Sequence, residues 1–262
     1  MKLDLIDIGV NFHASQLKGL GEELLARAAD AGLTHILATG TSLAASRSAL
    51  EFARRHPRVW ATAGVHPHTA REYTAATTDA LAALWADERV VAVGECGLDY
   101  NRMFSPVEAQ RDAFAAQIQA SLATGKPLFL HCRDAFEDFH AMLREAAAAG
   151  ARGVVHCFTD GAAEAEAYLA LGFDLGITGW VTDTGRGTQL REAMRVIPLD
   201  RLHLETDAPY LRPRNAGKTR PYNEPALLPF VAQAAAELKG VDAAALAAQA
   251  SANSKRLFKL PG

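Results

Sequence analysis

The sequence predicts a single α/β domain over residues 1–262, folded as a (β/α)8 TIM barrel. Three observations support this. Eight short apolar or β-branched runs alternate with stretches rich in Ala, Leu, Glu, Arg and Gln. No Gly/Pro-rich linker or charge run divides the chain. Neither GxGxxG nor GxxxxGK occurs, which disfavours a doubly wound nucleotide-binding sheet.

Strands are expected at about residues 4–10, 34–39, 58–64, 89–94, 127–131, 153–157, 173–178 and 202–206. Helices are expected between them at about 15–31, 42–55, 77–87, 106–124, 135–149, 161–171 and 186–197. Two more, at about 224–238 and 242–258, complete the chain. Gly32, Gly125, Gly150 and Gly172 fall just past helical runs, where a left-handed cap suits glycine. Ser105-Pro106-Val107-Glu108 reads as a helix start with Ser105 as cap, and Asp242 is positioned to cap the last helix.

Four of the apolar runs end on a side chain able to hold a metal or move a proton. Val90–Gly94 ends on Glu95, Leu128–Leu130 on His131, Gly153–Val155 on His156, and Leu202–Thr206 on Asp207. One such ending is unremarkable; four in a strand–helix alternation point to a metal site at one end of the barrel. Side chains alternate across a strand. If His131 faces the barrel mouth, Cys132 faces away, and the same holds for Glu95 with Cys96 and His156 with Cys157. The three cysteines therefore read as small apolar packing rather than zinc thiolates. The same parity places His203, Glu205 and Asp207 inside on the last strand, and Asp7, Gly9 and Asn11 inside on the first. Buried carboxylates need partners. Asp7 and Glu205 are expected to support a ligand's second nitrogen, with an internal salt bridge to Arg or His as the alternative. His66 follows the third strand and is a candidate for the mouth, His68 a weaker one. His13, His35, His56 and His140 match no strand-end pattern and read as surface or packing residues.

A net charge of −3 gives no global attraction to nucleic acid, so any polyanion must be held by a local patch. Three cysteines, an odd number without a CxxC pair, argue against a disulfide scaffold. No stretch approaches the roughly 20 apolar residues of a membrane span. The N-terminus runs straight into a strand rather than a secretory signal, so no membrane partner and a cytoplasmic location are expected.

Six motifs, in order, resemble those of the TatD family. They are Asp7-Ile8-Gly9-Val10-Asn11, Gly64-Val65-His66-Pro67-His68, Gly94-Glu95-Cys96-Gly97-Leu98-Asp99, His131-Cys132-Arg133-Asp134-Ala135, His156-Cys157-Phe158-Thr159 and Glu205-Thr206-Asp207-Ala208-Pro209-Tyr210. The match continues to Asn223-Glu224-Pro225 and Ala252-Asn253. That family comprises metal-dependent nucleases on a TIM barrel of the metallo-dependent hydrolase type, related to the amidohydrolases. Most members carry Asp-x-His-x-His on strand one; Gly9 and Asn11 stand at the histidine positions here, as in the branch that gives the family its name.

The resemblance implies a phosphodiesterase that removes nucleotides 3′ to 5′ from single-stranded DNA and RNA, in repair or nucleic-acid turnover. It implies a divalent metal on Glu95, His131 and His156. Magnesium is expected, with manganese or zinc as alternatives, and a second ion is expected to bind weakly through Glu95 and the substrate phosphate. Asp207 is expected to accept the proton of the attacking water, and His66 to contact the phosphate or protonate the leaving oxygen. Arg133, Arg212 and Arg214 are expected to bind the phosphate backbone. Lys218, Arg220, Arg102 and Arg186 reinforce that rim, because no acidic residue lies between Ala208 and Asn223. Phe104, Phe158, Trp180 and Tyr210 sit beside these loops as candidates for base stacking or loop anchoring. A monomer is expected. The competing function is another hydrolase on the same barrel, an aminoacyl-tRNA deacylase or an amidohydrolase. A binding protein with a decayed metal site is disfavoured by the joint presence of Glu95, His131, His156 and Asp207.

Overall fold

The computed structural model describes residues 3–217 and 220–261; Lys218 of the basic loop lies outside the described residues. Eight strands, β1 (Leu5–Val10), β2 (Leu33–Ala38), β3 (Val59–Ala63), β4 (Val90–Asp99), β5 (Leu128–Arg133), β6 (Gly153–Val155), β7 (Asp174–Ile177) and β8 (Leu202–Leu204), form one sheet in the order β1 to β8. The helices are α1 (Gly21–Asp30), α2 (Leu43–Arg55), α3 (Ala75–Trp85), α4 (Val107–Thr124), α5 (Phe136–Ala148), α6 (Ala162–Ala170), α7 (Thr188–Ala193), α8 (Leu228–Lys239) and α9 (Ala243–Phe258). With every strand followed by a helix and the strands in sequence order, the topology is that of a (β/α)8 barrel, as the sequence predicts. Among the described residues, no helix is long and apolar enough to cross a membrane.

The chain divides into two compact units. The first comprises Met1–Leu37, Cys157–Leu169 and Asp174–Gly262; the second comprises Ala38–His156 and Ala170–Phe173. Within the second unit, β3, β4, β5 and β6 pair in parallel. Leu128, Phe129 and Leu130 of β5 are fully buried; each such side chain contributes about 1.5–3 kcal/mol of burial energy. Strand β4 is five residues longer than its apolar run suggests, because Cys96–Asp99 also pairs with β5 after a register shift between Val93 and Cys96. Two glycines make that approach possible. A Cβ on Gly94 would lie 2.2 Å from the Phe129 carbonyl oxygen, and one on Gly97 1.9 Å from that of His131; both have positive φ.

Helix α4 holds this unit together with polar groups on its buried face. Gln117 accepts from the Val65 amide at 2.8 Å and donates to its carbonyl at 3.0 Å. Gln110 does the same for Asp99, at 2.8 and 3.0 Å. Ser105 does not cap α4; Pro106 occupies the cap position. Its hydroxyl accepts from the Arg71 amide at 3.1 Å and donates to the His68 carbonyl at 3.0 Å, tying two loops instead.

In the first unit, β7 and β8 pair in parallel, and Val10 bridges Ala208. Asp242 caps α9 through the Ala245 amide, as its position predicts. The expected helix at 15–31 begins as a short 3-10 turn, Ser15–Leu17, before α1, and the one at 224–238 begins with another, Pro225–Leu227. His203 departs from strand parity. Its ring Nδ1 lies 2.8 Å from the Ser254 hydroxyl of α9 and its Nε2 3.0 Å from Asp174, so it faces the helix layer.

Candidate metal centre and active-site residues

Three histidines of the second unit converge on one oxygen. His156 Nε2, His66 Nε2 and His131 Nδ1 lie 2.9, 3.2 and 3.3 Å from Glu95 Oε1. Each comes from the end of a different strand, and Glu95 is itself fixed by a 2.8 Å hydrogen bond from its amide to the Gly40 carbonyl. Phe129 stacks on the His156 ring at 4.5 Å and fixes its plane. By proximity alone, His66, Glu95 and His131 form a candidate metal-binding group, with ligand atoms within 4.8 Å of one another.

The electrostatics fit a cation site. Burial alone would raise the Glu95 carboxyl, but His156, His66 and His131 around it hold it well below its usual range. Burial pushes His66 down to about 4, against the pull of Glu95, so it is neutral at pH 7. His131 is raised: burial opposes its charge, but hydrogen bonds to Asp99 and Glu95 outweigh that.

Hydrogen bonds assign the ring nitrogens different jobs. His131 Nε2 lies 3.3 Å from Asp99 Oδ2 and its Nδ1 3.3 Å from Glu95 Oε1, so both ring nitrogens face a carboxylate; donation from Nε2 to Asp99 would leave Nδ1 as the nitrogen able to bind a cation. His66 Nδ1 accepts from the His68 amide at 3.1 Å, which places the hydrogen of the neutral ring on the Nε2 facing Glu95. His131 thus has a nitrogen available to a cation beside Glu95, while the neutral His66 turns an N–H toward the same oxygen.

The sequence assigns Asp99 no role and offers His68 only as a weaker candidate for the barrel mouth. Asp99 Oδ2 binds His68 Nε2 at 2.6 Å, while Oδ1 accepts the amides of Asn101 and Arg102 at 3.0 and 2.8 Å. Burial would raise this carboxyl, but His131 and His68 bring it far below its usual range. The sequence signal was Asp99 at the end of a motif already anchored by Glu95. It was hidden because the apolar run, and so the apparent strand, stopped at Gly94.

The first unit carries the carboxylates of β1 and β8. Asp7 is fully buried and accepts from the Thr206 hydroxyl (2.6 Å), the Thr206 amide (2.9 Å) and the Gly9 amide (3.2 Å). Thus its partners are a hydroxyl and two amides, where a ligand's nitrogen was expected. Burial still dominates and raises it to about 8. Glu205 accepts from the Cys157 amide. Asp207 is half-buried, has a left-handed backbone with φ of 53°, and accepts from the Asn11 side-chain amide at 2.9 Å. Asn11 also donates to the Ala208 carbonyl, and Asn223 braces the same turn through the Thr206 and Tyr210 carbonyls.

The basic loop is less free than its sequence suggests. Arg214 and Arg186 both reach Asp183 Oδ2, at 3.3 and 2.9 Å, and Arg186 also covers the Trp180 ring. Arg212 spans its own loop to the Tyr222 and Gly217 carbonyls. Arg133 is exposed in the second unit, 3.9 Å from Asp134. None of the three cysteines forms a disulfide; Cys96 is fully buried, while Cys132 and Cys157 are partly accessible.

Comparison with known proteins converges on one family. The model described as "TatD related DNase" matches residues 6–259. A protein of Erwinia billingiae named 3′-5′ ssDNA/RNA exonuclease TatD is 47% identical over 260 residues, covering 98% of this chain and 100% of that protein. The protein of the same name from Escherichia coli K12 is 46% identical, covering 97% and 98%. The crystal structure of a TatD homologue from Escherichia coli K12 superposes with a TM-score of 0.91 at 27% identity over the full length of both chains. The chain belongs to the TatD-related DNase family.

Proposed function

We propose that the protein is a divalent-metal-dependent 3′–5′ exonuclease acting on single-stranded DNA and RNA. The observation that carries this reading is the convergence of His66, His131 and His156 on Glu95 Oε1. It occurs in a chain 46–47% identical to proteins named for that activity. A divalent ion bound there would polarise the scissile phosphate and lower the pKa of its bound water.

Glu95, His131 and His156 are the proposed ligands. Glu95 supplies the charge, and Asp99 keeps the His131 hydrogen on Nε2. We assign magnesium as the working ion, with manganese able to replace it, because strand one offers Gly9 and Asn11 rather than the imidazoles that favour zinc. The neutral His66 donates from Nε2 to a phosphate oxygen. Asp207 accepts the proton of the attacking water; its carboxylate is oriented by Asn11, and Asp tolerates the left-handed backbone there. Arg133 and Arg212 contact the phosphate backbone, Arg214 less so because it already pairs with Asp183.

A ladder assay on 3′- and 5′-labelled single-stranded DNA and RNA tests this. With Mg²⁺ or Mn²⁺ the substrate should shorten stepwise from the 3′ end, and EDTA should stop it. Glu95→Ala prepared in parallel should leave the substrate intact. Equal degradation by wild type and Glu95→Ala would refute the reading, since contaminating nuclease would then account for the activity.

A further inference from the structure

We propose that Phe104 is the stacking platform for the base of the nucleotide being removed, a role that rests on the exonuclease reading above. Among the described residues, three large apolar side chains are conspicuously exposed: Met103 at 45%, Phe104 at 48% and Tyr210 at 49%. Two of the three are adjacent and sit on the loop leaving β4, the strand that carries Glu95 and Asp99.

That loop is anchored on both sides of its apolar tip. Before the tip, Asp99 Oδ1 holds the amides of Asn101 and Arg102. After it, Ser105 donates to the His68 carbonyl, accepts from the Arg71 amide, and has its own carbonyl held by Gln110 at 2.9 Å. The Phe104 ring is therefore presented from a fixed base, and it meets the His68 ring edge-on at 4.8 Å and 85°.

His68 links this ring to His66 and to the proposed ligand His131. Its centroid lies 4.2 Å from His66 and 6.2 Å from His131, and its Nε2 shares Asp99 Oδ2 with His131. An aromatic ring one side chain removed from His66, the proposed phosphate contact, half open to solvent and held in place, suits the base of a nucleotide whose phosphate sits at that histidine. Stacking is indifferent to base identity, as removal of successive nucleotides requires. Two of the other candidates are already engaged. Phe158 is buried against Tyr168, and Arg186 already covers the Trp180 ring.

The test compares wild type, Phe104→Ala and Phe104→Trp on two single-stranded oligonucleotides, one normal and one abasic over its last three 3′ nucleotides. On the normal strand, Phe104→Ala should lose about tenfold in kcat/KM, mostly through KM, and Phe104→Trp should restore it. On the abasic strand the three proteins should be equal. Mn²⁺ affinity by calorimetry should be the same in all three. The proposal is overturned if Phe104→Ala stays within twofold of wild type on the normal strand, or loses the same factor on the abasic strand. If wild type degrades neither strand, the exonuclease reading fails, and the stacking role with it.

Discussion

The ends of strands β3–β6 and the ends of β1 and β8 handle buried carboxylates in opposite ways. In the first region, Glu95 and Asp99 are surrounded by imidazoles and held ionised far below their usual range. In the second, Asp7 is held by a hydroxyl and two amides and is raised to about 8, while Asp207 leans on a neutral Asn11 amide. The difference follows from residue type. An imidazole supplies positive charge when protonated or a metal-binding lone pair when neutral, whereas Gly9, Asn11 and Thr206 supply neither charge nor a strong ligand. One region is thus suited to a cation, while in the other the carboxylates rest on neutral partners and Asp7 keeps its proton.

The strongest way to break this contrast is to remove the charge at its centre. Glu95→Ala should lower kcat by about a thousandfold or more and abolish Mn²⁺ binding, measured by rate assay and calorimetry. Retained binding would place the ion elsewhere. Asp207→Asn should cost about a hundredfold in kcat with Mn²⁺ affinity unchanged. Asparagine accepts the left-handed backbone at that position, so the melting temperature should hold. Asp99→Asn, which loosens the hold on His131 Nε2, should weaken Mn²⁺ binding by about tenfold without unfolding the protein.

The proton-holding side of the contrast can be sharpened through pH. Asp7 moves from an unfolded value of 3.8 to about 8, so the folded protein binds one more proton than the unfolded chain between those limits. Its stabilising effect is fully present below about pH 4 and is lost as pH rises through 8. Asp7→Asn should therefore remove a slope of about 1.4 kcal/mol per pH unit from the urea unfolding free energy between pH 5 and 7. Identical slopes in the two proteins would refute the shift. The smallest effect is expected at Arg214, already paired with Asp183 beside Arg186. Arg214→Ala should change kcat/KM by less than about threefold.

Much of this was legible in the sequence, because apolar runs of strand length ending on Glu95, His131 and His156 carry both the fold and the cluster. What escaped notice depended on interactions that periodicity does not report. Strand β4 outran its apolar stretch because Gly94 and Gly97 let the chain pass close to β5, and that concealed Asp99. Gln110 and Gln117, two helical turns apart on the buried face of α4, pin Asp99 and Val65. Two polar residues at that spacing on an apolar face were the available clue. His203 followed a hydrogen-bond partner on α9 rather than strand parity. The basic stretch after β8 looked unopposed because its counter-charge, Asp183, comes from the loop after β7.

We expect the β3–β6 region to hold the cation without help from the carboxylates of β1 and β8. Calorimetric titration of Mn²⁺ into the nucleotide-free protein and its variants tests it most directly. One equivalent should bind to wild type and to Asp207→Asn with equal affinity, and none to Glu95→Ala. Two tight equivalents in wild type, or one equivalent that survives in Glu95→Ala, would contradict the account.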